Sequence, residues 1–148
     1  MVFTATGLAK GELWGVRLGG RGVVTDTHVA WKINRNVPNR PSPVLVDDLL
    51  FMVEQDTGVV TCVEAKTGKE VWRERLPGVG HHSSSPLYTE GRVYFFNENG
   101  EAIVLAAARE FKVLAQSKLD DGFMASPAVA GRALFLRTKT HLYRIEQR

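Results

Sequence analysis

The hydrophobic positions of this chain fall into short bursts separated by turn-forming pairs, and the bursts return in phase. A Ser-Pro dipeptide stands at Ser42-Pro43, Ser85-Pro86 and Ser126-Pro127, spaced by 43 and 41 residues. The segments that begin with it are alike: SPVLVDDLLFMVEQDTG, SPLYTEGRVYFFNENG and SPAVAGRALFLRTKT. Each reads as a short strand, a two-residue turn (Asp47-Asp48, Glu90-Gly91, Gly131-Arg132) and a second strand, which is a hairpin signature. A further turn, QDTG or NENG, leads to a third strand at 59–65 or 102–108, and another leads to a fourth at 70–76 or 111–119. Val, Ile, Phe, Tyr and Leu dominate these segments, and no stretch keeps a helical period for more than a few residues. The run IVLAAAREFKVLA mimics a helix, but its place in the repeat predicts two strands. Each proline opens a first strand, where a missing N–H is tolerated.

A four-stranded antiparallel meander of about 40–45 residues, repeated, is the signature of a β-propeller blade. The predicted fold class is all-β, a part-ring of about four blades in a single domain over residues 1–148. The blades fall at roughly 1–33 (incomplete), 42–76, 85–119 and 126–147 (incomplete). In the first, VFTAT, GELWGVRL and HVAWKI supply the second, third and fourth strands. Trp31 stands there in the place of Trp72, and an insertion around Gly19 to Thr25 lengthens the last turn. The fourth blade has three strands, SPAVAG, ALFLRT and HLYRIEQ. Propellers close with typically four to eight blades. The expectation is therefore the C-terminal part of a seven- or eight-bladed ring, its missing outer strand supplied from the N-terminus of the parent. A β-sandwich, the rival all-β fold, does not predict the Ser-Pro phase. Open edges and two uncovered blade faces predict self-association. Two copies paired head to tail would close a ring, so a homodimer is expected.

Composition narrows the partners. The net charge is only +3 and the basic residues are scattered, which argues against a nucleic-acid partner, since that needs a clustered basic face. The lone Cys62 excludes an intrachain disulfide. No apolar run reaches the roughly 18 residues of a membrane span. The start, MVFTATGLAKGELW, has no basic region followed by an apolar one and does not read as a signal peptide.

The sharpest local motif is CVEAKTGKEVW, Cys62 to Trp72. Gly68 supplies a positive φ for a tight turn. Thr67 can hydrogen-bond nearby backbone, and Trp72 offers a large flat area to an adjacent sheet. The spacing resembles the pattern Ala-x-Asp-x-x-Thr-Gly-Lys-x-x-Trp of the pyrroloquinoline-quinone-type propeller repeat family. That family includes quinoprotein alcohol dehydrogenases and the propeller lipoprotein of outer-membrane-protein assembly. Cys62 takes the Ala position and Glu64 the acidic one, while Thr67, Gly68, Lys69 and Trp72 match directly. The resemblance implies a structural docking motif in which the Trp stacks on the neighbouring blade. In the third blade the aligned stretch LAAAREFKVL has Arg109 and Glu110 in place of Thr-Gly, and Leu114 in place of the Trp. The resemblance further implies a periplasmic or extracytoplasmic location. It implies either a non-catalytic scaffold for protein interaction or, alternatively, a degenerate or half-ring quinoprotein dehydrogenase-like domain.

Candidate chemistry favours the scaffold. Quinoprotein enzymes of the family use adjacent cysteines and a calcium ion held by acidic and amide groups, and only Cys62 is present. Asn97, Glu98, Asp120 and Asp121 lack metal-loop spacing. No cofactor, metal or catalytic residue is therefore assigned. His81-His82, in PGVGHHSSSP, has no spaced third ligand and no nucleophile motif, and reads as a polar inter-blade loop with surface histidines. His28 and His141 are expected in strands, and Trp14 and Trp31 in blade packing. The glycines of GLAKGELWGVRLGG are followed by no Gly-Lys-Ser/Thr and no helix, which rejects a phosphate loop. Fourth-to-first-strand loops (34–40, 77–84, 120–125) share one rim with the second-to-third turns. Arg35, Arg40, His81, His82, Phe123 and Met124 make that rim a mixed cationic and apolar candidate for recognising a protein partner, whose identity the sequence leaves open. Phe123 and Met124 either present apolar surface there or plug the gap between blades.

Overall fold

A computed structural model describes residues 1–6 and 11–146. Gly7 of the glycine-bearing segment and Gln147 at the end of the fourth repeat lie outside the described residues. The strands form four antiparallel meanders, each a separate sheet. Blade 1 is β1 (Val2–Thr6), β2 (Glu12–Val16) and β3 (Val29–Ile33). Blade 2 is β4 (Val44–Val46), β5 (Leu49–Val53), β6 (Val59–Glu64) and β7 (Glu70–Arg75). Blade 3 is β8 (Leu87–Thr89), β9 (Arg92–Phe96), β10 (Glu101–Ala106) and β11 (Val113–Lys118). Blade 4 is β12 (Ala128–Ala130), β13 (Ala133–Arg137) and β14 (Leu142–Glu146). This is a part of a β-propeller. The first hairpins are tight enough to force left-handed backbone even on residues with side chains: Asp47 and Glu90 have φ of 52° and 50°.

Strand alternation explains the core. Successive residues of β5 point to opposite faces, and both faces are covered, so all five of its residues are buried. Leu50 and Met52 point back, packing with Leu13, Trp31 and Ile33 of blade 1. Phe51 and Val53 point forward, packing with Val93, Phe95 and Ile103 of blade 3. The third boundary is thinner: Phe96 meets Leu136, with Phe123 between them.

Two local expectations fail. The insertion in blade 1 carries a helical turn, α1 (Thr25–His28), closed by His28 N–H donating to Val24 O at 2.9 Å. His28 therefore ends a helical turn and does not lie in a strand. His141 sits in the turn before β14, where its carbonyl accepts the Thr138 N–H at 2.9 Å. Trp14 does not pack between the described blades. It lies on the face of blade 1 turned away from blade 2, with its indole N–H on Glu12 at 2.8 Å and the Lys32 ammonium 4.0 Å from a ring centroid.

Candidate functional site

The Trp-docking geometry repeats from blade to blade. Trp31 of β3 donates its indole N–H to Ala65 O of blade 2, and Trp72 of β7 donates to Ala108 O of blade 3, each at 3.1 Å. Trp72 also meets Phe111 edge-on at 5.3 Å between ring centroids. Gly68 is required twice over. Its φ is 70°, and a Cβ there would lie 2.6 Å from Trp31 Cδ2. The turn that carries Gly68 is thus the seat for the preceding blade's indole. Glu64 accepts from the Thr67 hydroxyl at 3.0 Å and from Arg109 of blade 3 at 3.1 Å. Those bonds, Arg109 first, hold its carboxyl below the usual carboxylate range. Arg109 pairs in addition with Asp48. Lys69 contributes its backbone, donating to Thr67 Oγ1 at 3.2 Å, while its side chain is exposed.

Strand pairing corrects the alignment of the third blade. Trp31 faces Gly15 and Trp72 faces Cys62, each just beyond a β-bulge. In blade 3 the bulge falls at Leu114, and the residue facing Val104 is Ala115. The docking station is therefore held by Ala115, because the β10–β11 turn is one residue longer than its counterpart.

The Ser-Pro phase has a function that the sequence did not disclose. Ser42 N–H donates to Ser85 Oγ at 2.9 Å, and Ser85 N–H donates to Ser126 Oγ at 3.0 Å. The hydroxyls of Ser85 and Ser126 thus each accept from the preceding blade, at the innermost strand. The strict spacing was the signal that could have revealed this.

On the rim, each inter-blade loop tucks between two turns. His82 N–H donates to Gln55 O at 2.8 Å and Phe123 N–H donates to Asn97 O at 3.1 Å, so the two residues occupy equivalent plugs. Both are buried, at 3% and 1% exposure. His82 is thus not a surface histidine, and Phe123 takes the plugging alternative, its ring edge-on to Phe96 at 5.1 Å. Among the described residues neither ring nitrogen of His82 meets a hydrogen-bond partner, and burial pushes its pKa down. Arg35, Arg40, His81 and Met124 remain exposed, Met124 by 56%. Arg40 reaches Ser83 Oγ at 3.1 Å and stands 3.8 Å from Glu98, and His81 Nδ1 lies 3.1 Å from Asp56.

Residues 5–110 match the protein family described as outer membrane protein assembly factor BamB. The chain belongs to the BamB family. Solved structures share the fold. BamB from Moraxella catarrhalis is 14% identical with a TM-score of 0.70, over 97% of this chain and 44% of that one. A BBS1N chain, solved in complex with ARL6DN, is 16% identical with a TM-score of 0.65, over 97% of this chain and 49% of that one. A europium-containing methanol dehydrogenase is 12% identical with a TM-score of 0.60, over 78% of this chain and 22% of that one. The chain therefore spans less than half the length of each. No curated protein matches the sequence significantly.

The propeller likeness to a dehydrogenase makes the fit of a quinone and metal site worth testing in this BamB-family chain. Cys62 is buried in the core between blades 2 and 3, and desolvation pushes its thiol up to about 12. Asn97 is buried and braces its own turn, accepting from the Asn99 and Glu101 N–H groups at 3.1 and 3.0 Å. Glu98 accepts the Ser83 hydroxyl. Asp121 caps Thr140, accepting its hydroxyl at 2.7 Å, and that bond leads the causes that lower its pKa. Asp120 is exposed. Cys62 is committed to the core and Asn97, Glu98 and Asp121 to turns, and among the described residues no three His, Cys, Asp or Glu side chains come together as metal ligands, so the residues do not fit the cofactor. No helix among the described residues is long and apolar enough to cross a membrane.

Proposed function

We propose that the chain is a non-catalytic scaffold for protein interaction, a single propeller domain over residues 1–148 that works in an extracytoplasmic compartment. The observation that carries this is the commitment of Asn97, Glu98 and Asp121 to stitching turns together. What the rim then offers is cationic and apolar: Arg35, Arg40, His81 and Met124. Such a surface suits an acidic or amphipathic protein segment. Titration with pyrroloquinoline quinone and calcium is expected to leave no bound chromophore and no change in melting. A stoichiometric chromophore overturns the proposal in favour of a dehydrogenase-like domain. Secretion-reporter fusions of the natural gene test the compartment, and a cytoplasmic readout overturns that part.

Two copies pairing head to tail would complete the ring. The serine ladder runs from Ser42 of blade 2 to Ser126 of blade 4, and what supports the pairing lies beyond it: among the described residues, the face of blade 1 turned away from blade 2 is uncovered. Two such chains also come close to the length of the Moraxella BamB chain. Light scattering on size-exclusion fractions should give a dimer mass at high concentration. A monomer at every concentration refutes the pairing.

A further inference from the structure

The loop between blades 2 and 3, residues 77–84, is tied down by four consecutive residues. The His81 carbonyl accepts the Glu98 N–H at 2.8 Å, and His81 Nδ1 lies 3.1 Å from Asp56. The His82 N–H donates to Gln55 O at 2.8 Å. The Ser83 hydroxyl donates to Glu98 and accepts from Arg40, and the Ser84 hydroxyl donates to Phe96 O at 3.2 Å. The loop thus grips the β5–β6 turn through Gln55 and Asp56 and the β9–β10 turn through Glu98. At its centre sits the His82 ring, 3% exposed and so close to Gly58 that a Cβ there would lie 3.2 Å from its Cε1. Blades 2 and 3 are both complete four-stranded sheets, so the chain itself bounds this seat on each side.

The seat does not require an imidazole. Phe123 occupies the equivalent plug between blades 3 and 4, with a backbone bond of the same kind to Asn97 O and its ring edge-on to Phe96. The polar atoms of His82 bring nothing to the closed loop. Among the described residues neither ring nitrogen meets a hydrogen-bond partner, and neither does the buried Oε1 of Gln55, in the turn that receives the loop. Such a ring is tolerated as a neutral group and is far costlier as a cation. Burial is the largest influence on its charge and favours the neutral form. The Gly80 backbone, Glu101 of β10 and Glu54 of the β5–β6 turn oppose burial, and His81 reinforces it. Neither carboxylate pairs with the ring nitrogens. Both are engaged elsewhere, Glu101 by the Asn97 amide at 2.6 Å and Glu54 by the Thr57 N–H at 2.8 Å.

We propose that His82 is an acid-released latch of the rim: a proton taken from solvent by its ring ejects the plug, lifts residues 81–84 from both turns and frees Arg40, Asp56 and Glu98 for a protein partner. The sign follows from burial. In the open loop the imidazole is solvated and titrates near its ordinary value of about 6.5, whereas the closed seat resists the charge. Below that pH the open form binds the proton, so opening grows as the pH falls. The ties made by residues 81, 83 and 84 leave with the ring because they flank it in the chain. What the latch controls rests on the protein-interaction reading. Its release is measured with no partner present, so each can fail without the other.

Amide hydrogen exchange of the full chain, followed by NMR at about pH 7 and about pH 5, tests the latch. Protection factors remove the intrinsic pH dependence of exchange and report local opening. Those of the His82 and Glu98 amides, which close the loop onto the two turns, should fall about ten- to twentyfold between the two conditions. The Phe123 amide, in the same plug position but bonded to Asn97 O, should keep its protection. His82→Phe should remove the response. His82→Gln, polar but unable to titrate, serves as a second variant should the first fail to fold. Unchanged protection at His82 and Glu98 overturns the proposal. So does an equal loss at Phe123, which would mean that the whole domain opens, or a loss at Glu98 that persists in the folded variant.

Discussion

Gly68 and Trp31 belong to different blades, and their contact can be measured as a coupling. Gly68→Ala adds a Cβ that must sit 2.6 Å from Trp31 Cδ2 while the backbone keeps a φ of 70°. The left-handed backbone costs an alanine about 1 kcal/mol, and forcing a methyl into a filled contact costs about 1–3 kcal/mol more. The single variant should therefore lose about 2–4 kcal/mol. Trp31→Ala removes a half-buried indole and its hydrogen bond to Ala65 O, for a loss of about 3 kcal/mol, the low end for a Trp truncation. In the double variant the collision is gone and only the backbone penalty remains on top of the truncation. The double loss should then be about 4 kcal/mol, less than the two single losses together by about 1–3 kcal/mol. Guanidinium unfolding followed by circular dichroism, at one fixed protein concentration because association adds to apparent stability, gives all four corners of the cycle. Additivity within about 0.5 kcal/mol would show that the indole does not rest on the Gly68 turn.

Other consequences can be checked separately. Burial holds the His82 pKa below its ordinary value, so the unfolded chain takes up a proton more readily than the folded one. Stability is then complete above about pH 6.5 and declines as the pH falls below it. His82→Phe, which copies the Phe123 plug, should flatten the pH dependence of the melting temperature between about pH 5 and 7; an unchanged slope counts against the buried imidazole. Arg109→Ala breaks exposed ion pairs to Glu64 and Asp48 and should lower the melting temperature only slightly, and by less still in high salt. A larger, salt-insensitive loss would mean that Arg109 acts through packing. Cys62, buried with its thiol pushed up to about 12, should react with a thiol reagent only as fast as the protein opens. Immediate labelling of the native protein would contradict its place in the core.

What the sequence made legible was periodic. The Ser-Pro phase and the paired turn residues marked where strands begin and end because local backbone preferences decide those points. Asp47, Glu90 and Gly131 all take the left-handed backbone expected of their turns. Relations between blades were harder to read. His82 and Phe123 lie in loops, and loops are ordinarily exposed; only the packing of two turns around each one buries it. The Trp station in blade 3 was misplaced by one residue, because the turn between β10 and β11 is one residue longer than its counterpart in blade 2 and the extra residue is not marked in composition. Arg109 was visible as a departure from the repeat motif, but its grip on Glu64 and Asp48 depends on the angle between two sheets. Four residues of helix in the blade 1 insertion were too short to raise a periodic signal.

The serine ladder bears on how such rings change size over time. The two junctions that carry the ladder, between blades 2 and 3 and between blades 3 and 4, use the same donor and the same acceptor, one backbone N–H and one serine hydroxyl. A blade therefore needs no feature that records its ordinal position. Duplication or loss of one whole unit of 41 or 43 residues would join identical ends to identical ends. Growth by copying blades is then chemically neutral at the centre of the ring, and any cost falls on the periphery, where Trp31, Trp72 and Ala115 make each boundary individual.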